Sequence, residues 1–342
     1  MRTLTLFLAL APFFALSVHS QTSPVQSTGF DSNFRGASVS KAHSGKYAMW
    51  VSGTKGTILR SLDDGRSWKE LKVDGGADLD FRDVESFGEQ TAYVMSSGDG
   101  EKYRIYKTTD GGKSWTLQFT DKRAGFFLDS LACDSQTHCF ALSDPVDGKF
   151  LILSTNDGQH WKELPRDKMP AALPTEGSFA ASGTSIAICN NDIYFGSGGP
   201  AARVFHSTDR GHSWTTSETP MASGNASSGI FSVACHGHSL IAVGGDYREP
   251  AGTKKVAIYS TDSGATWHLA EQQPGGYRSA VAFLSGRRLM AVGTNGRDIS
   301  DDAGIHWRRM DAINLNAFSF SGTRSCAVGP KGTVLTMGEQ AH

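Results

Sequence analysis

The sequence predicts an all-β fold, a seven-bladed β-propeller whose ring is closed by an N-terminal strand. Three observations predict it. A short Asp-containing motif recurs six times, apolar strand-like runs with glycine turns precede the copies, and a seventh unit without the motif follows the last one. The chain contains 39 glycines and is 39% hydrophobic, which is typical of many short strands joined by tight turns. We therefore expect almost no helix in the folded protein.

The N-terminal segment is predicted to lie outside this fold. Residues 4–18 are almost wholly apolar and follow a positively charged residue, and small residues precede Gln21. This apolar run is short for a membrane anchor, and no later stretch could span a bilayer. We therefore expect a signal peptide over residues 1–20, cleavage between Ser20 and Gln21, and a single secreted or periplasmic domain over 21–342, without membrane insertion after cleavage.

The repeated motif, Ser/Thr-x-Asp-x-Gly-x-Ser/Thr-Trp, is called the box turn below. Its Asp can accept backbone N–H bonds within the turn, its Gly supplies the positive φ of a tight hairpin, and its Trp packs between sheets. We therefore interpret these side chains as structural rather than catalytic. The residues at the Asp position of the six box turns are Asp63, Asp110, Asn156, Asp209, Asp262 and Asp302.

The spacing of the box turns fits one four-stranded blade per repeat. Successive box tryptophans, from Trp68 to Trp307, are separated by 40 to 53 residues. The unit after Trp307 has three strand-like runs but no box turn and no fourth strand. The segment from Pro24 to Thr28 can supply that strand, which would pair the two termini and leave no open sheet edge between them.

The five cysteines fit an oxidising compartment. Cys133 and Cys139 flank a polar turn between two apolar runs, so we predict a disulfide across this hairpin. No second Cys/His pair lies at zinc-ligand spacing, so no metal site is expected. Cys189, Cys235 and Cys326 lie in apolar strand-like runs, and we interpret them as small buried residues rather than ligands or nucleophiles.

Charge and motifs exclude several classes of function. Lys and Arg number 33 against 34 Asp and Glu, so the balance does not indicate a nucleic-acid partner. No Ser-His-Asp order or metal triad stands out. The Gly-Gly pairs do not open helices, so they do not indicate a phosphate-binding loop. We expect no cofactor and a monomeric protein.

The box turns resemble those of the Asp-box (BNR) propellers, which include the sialidases and the photosystem II stability/assembly factor family. The closer resemblance is to the assembly factors. Segments such as Gly53 to Trp68 and Val292 to Trp307 carry the same order of glycine turn, apolar strand and box turn. No Arg-Ile-Pro tripeptide typical of sialidases is present. The resemblance, which covers residues 24–338, implies a scaffold or assembly role in an exported bacterial member, and it indicates fold better than function.

Candidate ligand-binding residues come from aligning blades on their tryptophans. Arg35 and Arg82 each lie 33 residues before a box tryptophan, Asp129 lies 32 before, and Arg278, next to Tyr277, lies 29 before. We expect the three arginines to face one another over the channel and to bind an anionic group. The alternative is that each arginine pairs with a neighbouring carboxylate and braces the channel mouth.

Two loops are expected to flank these arginines. One contains Glu176, and the other contains Asp246, Tyr247 and Arg248. Together with Tyr277 they complete the predicted ligand-binding set. If the protein is an enzyme, Glu176, Asp246, Tyr247 and Tyr277 are the candidates for glycosidase-like acid/base chemistry.

The sequence therefore favours an exported binding or assembly protein that holds a protein segment or a small anionic or carbohydrate ligand at the channel face. The alternatives are a glycoside-hydrolase or sialidase-like enzyme and, less favoured, an oxidoreductase.

Overall fold

The computed structural model describes residues 25–42 and 44–338, and the predicted signal segment lies outside them. The described chain is almost entirely β-structure, with one 3₁₀ turn at Gly100–Lys102 as its only helical element. In chain order the strands are β1 (Gln26–Ser27), β2 (Phe34–Lys41), β3 (Tyr47–Gly53), β4 (Ile58–Ser61), β5 (Lys69–Leu71), β6 (Asp80–Phe87), β7 (Thr91–Ser97), β8 (Tyr103–Thr108), β9 (Thr116–Asp121), β10 (Leu128–Cys133), β11 (Cys139–Val146), β12 (Lys149–Thr155), β13 (Lys162–Glu163), β14 (Ile186–Cys189), β15 (Asp192–Gly196), β16 (Gly198–Gly199), β17 (Arg203–Ser207), β18 (Thr215–Glu218), β19 (Asn225–His236), β20 (Ser239–Asp246), β21 (Ala257–Ser260), β22 (His268–Leu269), β23 (Ala280–Phe283), β24 (Leu289–Gly293), β25 (Gly296–Ser300), β26 (Arg308–Asp311), β27 (Ala317–Ser321), β28 (Arg324–Val328) and β29 (Thr333–Gly338).

These strands form seven antiparallel sheets, the blades, arranged around a central channel. In each blade the first strand lies innermost and the later strands follow outward. Blade 1 is β2–β5, blade 2 is β6–β9, blade 3 is β10–β13, blade 4 is β14, β15, β17 and β18, blade 5 is β19–β22 with β16 on its inner edge, blade 6 is β23–β26, and blade 7 is β27–β29 with β1. The predicted seven-bladed propeller is confirmed.

The N-terminal strand closes the ring as predicted. Gln26 pairs with Val334 and Ser27 with Thr333, so β1 becomes the outermost strand of blade 7. This pairing covers the edge that β29 would otherwise expose.

The hydrophobic core is divided into seven clusters, one in each gap between neighbouring blades. Each box tryptophan lies in the gap between its own blade and the preceding one. Trp115 packs between blades 1 and 2, and Trp307, 1% exposed, packs between blades 5 and 6. The gap between blades 6 and 7 has no tryptophan, because blade 7 has no box turn; Leu315 and Phe318 lie there instead.

The box turns are hydrogen-bonded as their chemistry predicts. In the fourth copy, Asp209 accepts bonds from the backbone N–H and the hydroxyl of Ser213 at 2.7 and 2.5 Å, and from the Ser207 hydroxyl at 2.9 Å. The third copy departs from the prediction. Asp157, not Asn156, accepts the equivalent bonds, from the Thr155 hydroxyl and two backbone N–H groups, because this turn is one residue shorter.

Two disulfides join cysteine pairs. Cys133 and Cys139 are opposite each other on β10 and β11, which confirms the predicted bridge. The interpretation of Cys189 and Cys235 as small buried residues missed their pairing. They form a second disulfide between the inner strands of blades 4 and 5, at a Cα–Cα distance of 6.1 Å. Cys326 is a free, fully buried thiol.

Candidate functional site

The inner strands of four blades contain a β-bulge. In each, the pairing with the second strand slips by one residue, which leaves one side chain free to point away from the sheet. The four bulge residues are Arg35, Arg82, Asp129 and Phe231. All four line a single cavity at the mouth of the channel.

Backbone hydrogen bonds give the equivalent position in blades 6 and 7. In blades 1 and 5 the residue before the bulge donates its N–H to a carbonyl of the preceding blade, and one residue in each of blades 6 and 7 makes the same bond. These bonds run from Phe34 to Gly329 (3.2 Å), from Ile230 to Ser197 (3.1 Å), from Arg278 to Gly244 (3.0 Å) and from Leu315 to Gly293 (3.2 Å). Arg278 therefore occupies the register of Phe34, and the residues equivalent to Arg35 are Ser279 and Asn316, which also line the cavity.

This register corrects the prediction for Arg278. Its side chain is fully buried and does not line the cavity. It forms an ion pair with Asp298, donates to Asn295 Oδ1 at 2.6 Å, and donates to the Tyr277 carbonyl at 2.7 Å. The alignment on box tryptophans assigned Arg278 to the position that Ser279 occupies. This error of one residue arose because the loops of blade 6 are shorter than those of blades 1 and 2.

The cavity has a volume of about 670 Å³ and lies at the opposite end of the channel from the box turns. Box turns join the third and fourth strands of a blade. The cavity residues lie before or in the first part of first strands, near the end of second strands, or in the loops that follow second strands, which is the other end of an antiparallel sheet. We call this end the cavity face.

The cationic side of the cavity consists of Arg35 and Arg82. Both lie beside one carboxylate, Asp80, with Nε–Oδ2 distances of 3.5 and 2.9 Å. Arg82 also donates to the Ala180 carbonyl at 3.3 Å, whereas Arg35 Nε has no hydrogen-bond partner. Burial, followed by the charge of Arg82, lowers the pKa of Arg35. Two guanidinium groups therefore share one compensating charge, which favours binding of a further anion.

The acidic side consists of Asp129 and Asp144. Asp129 is fully buried, and neither carboxyl oxygen has a hydrogen-bond partner. Asp144 Oδ1 accepts the backbone N–H of Ser178 at 2.8 Å. Burial, together with the charge of Asp144, raises the pKa of Asp129 well above its usual range, and burial raises the pKa of Asp144 to about 6.

The remaining side is aromatic. Phe179 and Phe231 stack with ring centroids 3.8 Å apart, and Tyr277 meets Phe231 edge-on at 4.8 Å. Tyr247 lies at 6.2 Å from Phe231 and is 45% exposed, although it is a large aromatic side chain. Two of the predicted site residues, Tyr247 and Tyr277, therefore reach the cavity.

The other predicted loop residues do not line this cavity. Glu176 is buried and bridged to Arg203, with a 2.6 Å bond from Ser197, so it braces blade 4. Asp246 accepts hydrogen bonds from the Asn225 amide and from the Arg248 backbone, both within its own hairpin. The guanidinium of Arg248 lies 5.9 Å from the Tyr247 ring. The four candidates for acid/base chemistry thus do not form one constellation.

Several cavity residues were missed by the sequence reasoning. The bulge position identifies Phe231, Ser279 and Asn316, but only when blades are aligned on strand pairing rather than on tryptophans. Asp144 lies near the end of β11 and Phe179 in the loop before β14, and neither residue recurs at an equivalent position in other blades. Among the described residues, no group of three or more His, Cys, Asp or Glu side chains is placed to hold a metal ion. The helices in this part of the chain include none that is long and apolar enough to cross a membrane.

Comparison with known proteins supports the resemblance stated from the sequence. The family described as the DUF6242 beta propeller domain matches residues 26–335. The photosystem II assembly lipoprotein Ycf48 of Synechococcus sp. (strain CC9902) is 29% identical over 72 residues, which are 21% of this chain and 20% of that protein. The match therefore spans about a fifth of the relative's length.

Solved structures agree over nearly the whole chain. The structure of Ycf48 bound to a D1 peptide has a TM-score of 0.66 at 13% identity, covering 94% of this chain and 99% of that one. The structure of Ycf48 from Cyanidioschyzon merolae has a TM-score of 0.62 at 18% identity, covering 93% and 98%. At these identities the likeness establishes the fold.

Proposed function

We propose that this chain, which belongs to the DUF6242 β-propeller domain family, is an exported binding protein that holds a segment of a partner protein at its cavity face. The observation that carries the proposal is the pair formed by Arg35 and Arg82. Both arginines line the cavity, and among the described residues Asp80 is the one carboxylate within ion-pair distance of either guanidinium. An acidic side chain or a chain terminus of the partner would supply the missing negative charge.

The aromatic side supports a protein segment rather than a simple ion. Tyr247 is exposed beside the stacked pair of Phe179 and Phe231, so a bound chain could bury apolar side chains next to the arginines. Exposed aromatic residues beside arginine are typical of interface hot spots. A Ycf48 structure with a bound D1 peptide shows that a propeller of this shape can hold a peptide.

Export is part of the same proposal. Two disulfides, Cys133–Cys139 and Cys189–Cys235, are typical of proteins in an oxidising compartment. The apolar N-terminal segment has the composition of a signal peptide.

Site-specific photocrosslinking tests the proposal. A photoreactive phenylalanine analogue placed at Tyr247 is compared with the same analogue at Leu62, a box-turn residue of similar exposure (42%) at the other end of the channel. We expect a protein adduct from position 247, lost when Arg35 and Arg82 are both replaced by alanine, and none from position 62. Mass spectrometry of the adduct identifies the segment, whose synthetic peptide is then measured by calorimetry. No adduct at 247, or the same adduct from both positions, contradicts the proposal.

The glycoside-hydrolase alternative gains no support from the predicted residues. Glu176 is neutralised by Arg203, and Asp246 is engaged within its own hairpin, so neither carboxylate faces the cavity.

A further inference from the structure

We propose that Asp129 and Asp144 form a subsite for a basic side chain of the bound segment. This inference rests on the proposed function and adds the chemistry of the partner. The segment would carry a basic residue for the two aspartates as well as an acidic group for Arg35 and Arg82.

The main observation is the unpartnered carboxyl group of Asp129. Its residue is fully buried and lines the cavity, yet neither oxygen accepts a hydrogen bond. Burying a polar group without a hydrogen-bond partner costs free energy. In native proteins such a group often contacts a ligand, an ion or a water molecule. The bulge in β10 holds this side chain at the cavity in the register occupied by arginine in blades 1 and 2.

In the described part of the chain, neither Asp129 nor Asp144 forms an ion pair with a Lys, Arg or His side chain. The charge of Arg82 acts on Asp129, but the Arg82 guanidinium is engaged by Asp80 at 2.9 Å and by the Ala180 carbonyl at 3.3 Å. Asp144 receives one backbone N–H, from Ser178. This side of the cavity therefore has more acceptors than donors, and an ammonium or guanidinium group carries the donors that it lacks.

The surroundings favour a charged donor over a neutral one. Phe179 lines the same cavity, and aromatic faces attract cations; Phe127 also lines it, with the Arg82 guanidinium already 5.8 Å from its ring. Burial and the neighbouring Asp144 raise the pKa of Asp129, which favours the neutral form of this carboxyl group in the free protein. A cation entering beside it would favour ionisation and form a charge-assisted hydrogen bond in a site shielded from water.

The geometry thus divides the cavity by charge. Arg35 and Arg82 would select an acidic group, and Asp129 and Asp144 would select a basic side chain beside it. A segment with only the acidic group would leave the Asp129 carboxyl buried and unpaired, so it would bind more weakly.

Peptide selection provides the test. The purified protein is used to select binders from a random peptide library, and the lysine of each selected peptide is replaced by Nε-acetyl-lysine, which removes the charge but keeps the length. We expect most binders to carry a basic residue near an acidic one. Acetylation of the lysine should weaken binding of the peptide to the unaltered protein by tenfold or more.

Two variants and one control locate the effect. Asp129→Asn and Asp144→Asn should each reduce the difference between lysine and acetyl-lysine peptides to less than threefold. Asp301→Asn, a change at an exposed box-turn carboxylate at the other end of the channel, should leave the difference intact. Because the acetylation comparison needs no variant, the test does not depend on their folding.

The possible outcomes separate the two proposals. Binders that require Arg35 and Arg82 but contain no basic residue, or that are unaffected by acetylation, would overturn this inference and leave the proposed function standing. A failure to select any peptide that depends on the two arginines would contradict both.

Discussion

Aspartates at the two ends of the channel have opposite surroundings. Asp209, in a box turn, accepts bonds from Ser213 and Ser207, and these bonds, led by the Ser213 hydroxyl, lower its pKa to about 2. At the cavity face, burial raises the pKa of Asp144 to about 6 and that of Asp129 well above its usual range. Asp129 accepts no hydrogen bond at all.

The difference shows which aspartates build the fold and which are available to a ligand. A box-turn aspartate has its donors within a few residues of its own sequence, so the motif brings its own stabilisation. Asp129 gains no local partner, and the protein bears the cost of keeping it buried at the cavity. We therefore expect changes at the box-turn end to affect stability and changes at the cavity face to affect binding.

The largest expected effect compares two aromatic residues. Trp307→Ala should lower the free energy of unfolding by about 3–5 kcal/mol, because it empties a buried site between blades 5 and 6. Tyr247→Ala should change it by less than about 0.5 kcal/mol, since the side chain is 45% exposed and lies at the surface. Chemical denaturation measures both values. A similar loss of unfolding free energy in the two variants would contradict the proposed difference between the box-turn end and the cavity face.

The next prediction compares substitutions of two aspartates, which should change the free energy of unfolding in different directions. Asp209→Ala should lower the free energy of unfolding by about 1–2 kcal/mol, because the turn loses its acceptor although the freed donors can reach water. Asp129→Asn should leave stability unchanged or raise it at pH 8, because it removes a buried carboxyl without partners. Denaturation midpoints at pH 8 would show this, and a large loss for Asp129→Asn would mean that its carboxylate is structural.

A further prediction concerns the dependence of stability on pH. Burial raises the pKa of Glu85, on β6, from its usual 4.5 to about 8. Between these values the unfolded chain has released the proton that the folded protein retains, so stability should fall as pH rises from 4.5 to 8. The box-turn aspartates act in the opposite sense, and their contribution is lost as pH falls towards 2. Glu85→Gln should flatten the decline above pH 4.5 in thermal unfolding, and an unchanged slope would refute the assignment.

The fold was predictable because its signals are local and repeated. The box turns, the blade spacing and the closing segment all lie in short stretches of sequence, and each recurs or has one possible role. The Cys189–Cys235 bridge was not predictable, since its partners lie 46 residues apart on two blades.

The site was only partly predictable. Arg35, Arg82 and Asp129 were found because bulge and box turn keep a nearly constant spacing in blades 1 to 3. Arg278 was misplaced because a shorter loop shifts the count by one residue, and a shift of one residue in a strand moves a side chain to the other face. Glu176 lay near the expected loop, but its pairing with Arg203 depends on a contact across blade 4.

The most direct test of the central claim measures binding and stability on the same variants. For the segment identified by crosslinking at Tyr247, the Kd and the unfolding midpoint are determined for Arg35→Ala, Arg82→Ala and the exposed box-turn control Arg66→Ala. We predict that each cavity variant weakens binding by about tenfold or more, equivalent to about 1.4 kcal/mol, with a nearly unchanged midpoint, and that the control changes neither. Normal binding by both cavity variants, or weaker binding only in proportion to lost stability, would contradict the assignment of the cavity face as the binding surface.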